Sequence, residues 1–469
     1  MSRTCIICGL GAGSAEHVFP AALGGRRKNK AIYCDQHNNA YSGLVARLST
    51  QLEAFNALVG VRPDRKNEPR SATGIDQATG LPVSYSVRAV ALEQPHLMAE
   101  IDNGDGTATR HMRFSSRDAA NKYVAEREAL GETVTLGPES RAQMLHGEIG
   151  FDIQLGGTEG LRAIAYVLQT YLAQHFGDVA RSPAIAALKD YTLGNSEGAF
   201  VWWDFDLPDN YPPNAYEFGH RVVVGVDSRT GMIFGRMSLF STLHFAAELG
   251  HIDAVQDRPT EAVIVDIDPL AEHPPLDIRE TRLEASTVAP SKPKNTTEGL
   301  GTAIISGEAH ASMHLLIGRI QEHVARRAAA SIVERLNKAA TTREHLDRAI
   351  EDLREELSQR AFNLLQYAVN GFAAQPGMQA FAPILLELVK LDPTSIDGLA
   401  PQASATLSVA LDALIAKLRE EFISGGLTND KAYELIASGP GAHTVGQAVL
   451  MPFVGQVDAL LAKAEQNAK

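Results

Sequence analysis

Cys5-x-x-Cys8 and Cys34-x-x-His37 are two ligand pairs with the same two-residue gap, and between them stands an acid-histidine pair, Glu16-His17. Three thiols and one imidazole form a donor set that suits zinc. These are the chain's only cysteines, all within its first 34 residues, whereas a disulfide scaffold would use an even, dispersed set. Zinc binding alone has no need of Glu16-His17. Histidine is the side chain whose ordinary pKa suits proton transfer near neutrality. Gly9, Gly11 and Gly13 in "CIICGLGAGSAEHVFP" also raise the possibility of a dinucleotide-binding turn. Such a turn follows a buried strand and opens a helix. Here only eight residues precede Gly9, two of them cysteines at ligand spacing, and Pro20 interrupts any following helix. The glycines are better read as turns after the knuckle.

To position these groups, the sequence predicts short extended pieces around Glu16 to Phe19 and Lys30 to Tyr33, then a helix from about Asp35 to Leu58. "GVRPDRKNEPRSATG" (60 to 74) is polar with two prolines and reads as a linker or loop. From 75 to 282 the pattern is mixed. "SYSVRAVAL" (84 to 92) alternates like a strand, "EGLRAIAYVLQTYLAQHF" (159 to 176) has helical periodicity, and "HRVVVGVDSRTGMIFGRMSLF" (220 to 240) reads as two strands joined at Asp227 to Gly231. "EASTVAPSKPKNTTEG" (284 to 299) has the composition of a linker. Beyond it the chain is rich in Ala and Leu. Leu346, Ile350, Leu353 and Leu357 recur at helical spacing, as do Leu407, Leu411, Leu414 and Leu418. An intramolecular helix bundle is the expected use of these stripes, with self-association or a docked protein partner as the alternative.

Length and composition bound the rest. A chain of 469 residues with 45% apolar and 21% charged residues is expected to be globular, with two or three domains. No apolar run approaches the ~18 residues of a membrane span, and the amino terminus lacks the basic flank and apolar core of a secretory signal. A cytoplasmic location without membrane partners is expected. The net charge of −13 is uneven: residues 1 to 70 hold ten basic against five acidic residues, the remainder 33 against 51. Any polyanion would therefore be met at the amino terminus.

After the knuckle come Glu16-His17-Val18-Phe19-Pro20, Gly24-Gly25, the basic run Arg26-Arg27-Lys28, then Asn29, and finally Asn38 directly after His37. This order resembles the HNH, or ββα-metal, endonucleases, in particular the subgroup stapled by a zinc-binding pair on each side. The resemblance covers residues 5 to 45 only. It implies that His17 is the general base that takes a proton from water, and that Glu16 and Asn38 hold a catalytic Mg²⁺ or Mn²⁺. It implies structural zinc on Cys5, Cys8, Cys34 and His37, and Asn29 as a structural brace of the loop carrying the base. Arg26, Arg27 and Lys28 would grip phosphates beside the cut, DNA more than RNA. The sequence departs from the commoner pattern at His37, where Cys is usual, at Asn38, where many members have His, and at Glu16, where Asp or His is frequent. Asn39 adjoins Asn38 and could replace it as ligand if the helix starts one residue differently.

The expected fold class is thus multidomain α+β: a zinc-stapled ββα-metal nuclease module (1–60), a central mixed α+β region (75–282) that could sense a ligand or partner, and an all-α helical region (300–469) that could support assembly. A nuclease does not need so much further chain, so the body is expected to regulate cutting. In architecture the chain resembles bacterial HNH proteins with large appended regions that act as effectors of defence against phage or plasmids or as partners of a guide-bearing protein. The reading from a different class is a zinc-knuckle module that binds nucleic acid or protein without catalysis. Other signals have plainer uses. "DNGDG" (102 to 106) lacks the bidentate Glu of a calcium loop and predicts a hairpin turn. His310 and His314 mark a helix face. The paired carboxylates of "WWDFDLPD" (202 to 209) and "VIVDIDP" (263 to 269) predict a turn or sheet edge, and one of Trp202 and Trp203 a core position.

Overall fold

The computed structural model describes residues 4–64, 68–76, 80–87, 90–135, 149–205, 207, 211–253, 260–271, 278–290, 308–340, 342–357 and 401–438. The fold is mixed α+β. The chain forms two compact units, one of residues 1–73, 84–89 and 152–320, the other of 74–83, 90–151 and 321–469. The first unit thus joins residues 1–73 with 152–320, while 74–83 and 90–151 belong to the second.

In the first unit, strands β1 (Glu16–His17) and β2 (Lys28–Asn29) pair antiparallel, with Glu16 opposite Asn29 and His17 opposite Lys28. Side chains alternate across a strand, so Glu16 and Asn29 share one face and His17 and Lys28 the other. The turn between them depends on Gly24, whose φ of +88° is left-handed and where a Cβ would lie 2.6 Å from Pro269 Cα. The second extended piece was expected at 30 to 33. Ile32 and Tyr33 are indeed buried, but their carbonyls accept from Ile6, Gly13 and Ser14, which ties them to the knuckle rather than to β1.

The single helix expected over 35 to 58 is three: α1 (Asp35–Ala40), α2 (Ser42–Gln51) and α3 (Glu53–Val59). Tyr41 and Leu52 at the breaks are both buried, and Leu52 leaves helical geometry at φ −102°, ψ 4°. The breaks let Tyr41, Leu48 and Phe55 all reach the interior.

Helix α4 (Gly157–His175) is the centre of this unit, with every residue from Ala163 to Ala173 buried. Short helices α5 (Gly177–Arg181) and α6 (Ala186–Leu193) follow it. The strands β3 (Val201–Trp203), β4 (His220–Asp227), β5 (Met232–Leu239), β6 (Leu243–His251), β7 (Glu261–Ile267) and β8 (Ile278–Glu284) make an antiparallel sheet in the order β8-β7-β4-β5-β6-β3. The β4–β5 hairpin turns between Asp227 and Met232, as the sequence predicts. Leu168 of α4 seats on the sheet at Gly235, where a Cβ would lie 2.9 Å from Leu168 Cδ2. Val223, Phe234, Ala262 and Ile264 form a core with Ala285 and Val288. The expected linker therefore begins later than residue 284, because Ala285 and Val288 are fully buried; its residues 291–299 lie outside the described ones.

Of the carboxylates expected at turns or sheet edges, Asp268 sits in a turn, its Oδ1 accepting from the Leu270 amide at 2.9 Å, whereas Asp266 and Asp204 close buried ion pairs: Asp266 takes Arg221 at 2.5 and 2.9 Å, and Asp204 takes Arg236; Asp206 and Asp209 lie outside the described residues. The Tyr211 ring lies 5.4 and 5.6 Å from the two guanidinium carbons. Trp202 is buried, as expected for one of the two tryptophans.

In the second unit, His96–Asp102 and Ala108–Arg113 form the hairpin predicted around "DNGDG". Helical segments at 321–339, 343–357, Pro401–Ile423 and Asn429–Tyr433 enclose a core that includes Ile350, Leu353, Leu357, Leu411, Leu414 and Leu418. These six positions of the two leucine stripes share one core, with Leu346 packed against it; the Leu407 side chain lies outside the described ones. His310 and His314 lie on the helix Glu308–Ala339. Among the described residues no helix is long and apolar enough to cross a membrane.

Breaking a buried ion pair strands a charge. Asp204→Ala is expected to lower stability by roughly 3–5 kcal/mol in denaturant unfolding, and Arg236→Met added to it to recover most of that loss. A second test concerns His220, fully buried between Phe19 and Phe240 at ring distances of 5.2 and 4.8 Å. Burial pushes its pKa from 6.5 down to about 3, so it stays neutral in the fold while the unfolded chain takes up a proton. Its contribution is complete above pH 6.5 and declines by about 1.4 kcal/mol per pH unit as pH falls from there toward 3. His220→Asn is expected to flatten the stability profile between pH 6.5 and 4; a parallel profile for the two proteins would refute this.

Candidate metal centre and acid-histidine site

The knuckle is assembled by backbone hydrogen bonds before any metal is considered. Gly9, at φ +73°, donates to the Cys5 carbonyl at 3.0 Å, and Cys5 donates to Leu10 at 2.7 Å. Cys34 caps α1, with Asn38 donating to its carbonyl at 2.9 Å. The ligand atoms of Cys5, Cys8, Cys34 and His37 all lie within 4.8 Å of one another. Cys5 Sγ is 3.7 Å and Cys34 Sγ 3.2 Å from His37 Nδ1, and Cys8 Sγ is 3.9 Å from Cys34 Sγ. A tetrahedral site with sulfur at ~2.3 Å has edges of about 3.7 Å, so the four donors fit zinc. Burial acts to raise the Cys5 thiol, but the amides of Cys8, Cys34 and Ile7 outweigh it and hold its pKa below the ordinary value, which favours the thiolate that zinc takes.

On one face of the β1–β2 hairpin, His17 Nε2 and Lys28 Nζ each lie 2.9 Å from Asp64 Oδ2. Asp64 stands just after α3, on a chain pinned by buried Val61 and by Arg62 donating to the Pro269 carbonyl at 3.0 Å. Burial alone would raise its pKa, but His17 and Lys28 prevail and hold it below the usual carboxylate range. An ionised carboxylate accepts from an N–H, so in neutral His17 the proton sits on Nε2 and Nδ1 carries the lone pair.

On the other face, Glu16 Oε1 accepts from the Tyr166 hydroxyl at 2.6 Å. Burial raises the Glu16 pKa and this hydrogen bond offsets part of the rise. Asn29 Nδ2 donates to Gln174 Oε1 at 2.6 Å, while its Oδ1 accepts from the Ala31 amide at 2.7 Å, a bracing contact. Asn38 Nδ2 donates to Ser14 Oγ at 2.8 Å. Its Oδ1 is buried with no hydrogen-bond partner among the described residues. Asn39 is exposed. A carboxylate and an orphaned amide oxygen are donors that fit a hard divalent cation. Glu16 and Asn38 share no hydrogen bond with each other among the described residues.

The basic run divides by partner. Arg26 donates to the Ala271 carbonyl, Arg27 pairs with Glu280, and Lys28 joins His17 at Asp64. Sequence reasoning missed Asp64, Tyr166, Ser14 and Gln174. Asp64 sat in a stretch read as linker, and Tyr166 and Gln174 looked like ordinary positions of a periodic helix.

Comparison of the chain with protein-family models, curated proteins and solved structures finds no match. The Cys/His cluster predicts one zinc per chain by elemental analysis, lost in Cys34→Ser together with thermal stability. Zinc retained in full by Cys34→Ser would exclude this ligand set.

Proposed function

We propose that the chain is a metal-dependent endonuclease of the HNH type that hydrolyses phosphodiester bonds of nucleic acid, DNA by preference. The observation that carries the reading is the Asp64–His17 hydrogen bond at 2.9 Å in a chain that also holds the Cys/His cluster. A general base needs a fixed ring, a defined tautomer and a partner for the charge it acquires, and Asp64 supplies all three. His17 Nδ1 takes the proton of a water whose oxygen attacks phosphorus; the new P–O bond forms as the bond to the 3′ oxygen breaks. Glu16 and Asn38 would hold Mg²⁺ or Mn²⁺, which would supply charge neutralisation at the phosphate and the departing oxygen. Lys28 brings a cation to the same face as the base and suits contact with a phosphate oxygen. Arg26 and Arg27 already have partners within the chain, so their role is to tie the turn down.

The large remainder supports regulation of where and when cutting occurs, in keeping with the resemblance to effectors of anti-phage defence. The engagement of Arg26 and Arg27 also favours a second reading, a zinc module that binds nucleic acid or protein without catalysis. Incubating supercoiled plasmid with Mg²⁺ or Mn²⁺, with EDTA as control, separates the two. Wild type is expected to nick or linearise, His17→Ala to be silent, and Asp64→Asn to fall roughly 10²–10⁴-fold, with zinc content unchanged in both. Equal cutting by His17→Ala would end the endonuclease reading; binding that survives it without turnover in either metal would establish the second.

A further inference from the structure

Glu16 has one more rotatable bond than an aspartate, so a cation ligand at this position needs an external constraint to hold its carboxylate still. Tyr166 offers that constraint. Its ring is 2% exposed and fixed by stacking on Tyr41 at 4.3 Å and 25° and by Tyr33 at 6.0 Å. Tyr33 and Tyr41 are held in turn: Tyr33 by Thr170 at 3.0 Å and Gln169 at 3.2 Å, Tyr41 by Thr192 at 3.3 Å and Gln169 at 3.4 Å. The Tyr166 hydroxyl is therefore delivered by a rigid stack, and its 2.6 Å donation to Oε1 has the length of a strong bond to a charged acceptor. Two turns further along the same helix, Gln174 holds Asn29, the residue opposite Glu16 in the hairpin.

We propose that Tyr166 is a positioning residue that fixes Glu16 as a cation ligand, so that the divalent site of the amino-terminal module is completed by helix α4 of the central region. This rests on the endonuclease reading for Glu16. Tyr166 engages Oε1 and leaves Oε2 as the oxygen available to a cation; it touches neither substrate nor metal itself.

The test is Mn²⁺ binding to the full-length, zinc-loaded protein by titration calorimetry, with Tyr166→Phe, Glu16→Gln and Tyr33→Phe beside wild type. Tyr166→Phe keeps the ring and removes only the hydroxyl. Tyr33→Phe takes a hydroxyl from the same stack without touching Glu16, so it controls for packing. The expected result is Mn²⁺ affinity about 10–100-fold weaker in Tyr166→Phe, near wild type in Tyr33→Phe, with zinc content unchanged. Plasmid cleavage by Tyr166→Phe should then need correspondingly more Mn²⁺ for half-maximal rate but approach the wild-type rate at saturation. Wild-type affinity in Tyr166→Phe, or an equal fall in Tyr33→Phe, overturns the positioning role while Glu16→Gln still binds weakly and the endonuclease reading stands. Wild-type affinity in Glu16→Gln removes the ligand role of Glu16, and the reading with it.

Discussion

Helix α4 is buried on all sides for three turns, from Ala163 to Ala173, and that burial dictates much of the first unit. A helix enclosed by protein has no solvent to satisfy polar side chains, so each one it carries must find a partner. Leu168 meets the sheet at Gly235. Tyr166, Gln169 and Thr170 instead meet Glu16, Tyr33 and Tyr41, and Gln169 Oε1 accepts from Thr192 at 3.1 Å. The polar residues of the helix are thus what the amino-terminal module docks against. A hydroxyl or amide left unpaired there would forfeit roughly 1–3 kcal/mol, and so the network fixes the module's placement as well as its stability.

The hairpin then splits this placement into two faces. Because β1 and β2 pair in one register, the face that turns Glu16 and Asn29 toward α4 obliges His17 and Lys28 to face the opposite way, toward Asp64. A one-residue slip would exchange the two sets. Gly24 against Pro269 and Phe19 against His220 hold that register from the sheet side. Glu16 and His17 are neighbours in sequence, yet their partners differ: one carboxylate half-buried beside a phenol, one imidazole beside a carboxylate.

Local features were legible in the sequence. Helix 157–175, the β4–β5 hairpin, the "DNGDG" turn and the leucine stripes all follow from periodicity or turn composition, which act over a few residues. The Cys/His cluster was legible because ligand spacing is itself a local signal. What was not legible depends on contacts between distant parts of the chain. Nothing near Asp64 marks it as the partner of His17, 47 positions away, and its polar, proline-containing surroundings suggest a linker. Tyr166 reads as a helix apolar face until its hydroxyl is placed beside Glu16. The three-helix break between 35 and 59 was hidden because Tyr41 and Leu52 are acceptable helix residues, and only the core they enter makes them leave the helix axis.

The basic run is the most instructive case for function. Charge counted along the sequence makes Arg26, Arg27 and Lys28 equivalent and gives residues 1 to 70 a surplus of positive charge. Fold makes them different. Arg27 is neutralised by Glu280 and Arg26 is spent on the Ala271 carbonyl, both in the acidic body that follows the module. Lys28 shares Asp64 with His17, so the charge on that face is set by one lysine, one carboxylate and the state of one imidazole. A protonated His17 would give Asp64 two cationic partners against its one negative charge, which on the proposed endonuclease reading is a local excess suited to a phosphate whose charge builds in the transition state. Under the proposed endonuclease reading, the surplus that a polyanion meets is generated at the acid-histidine site rather than displayed by the loop beforehand.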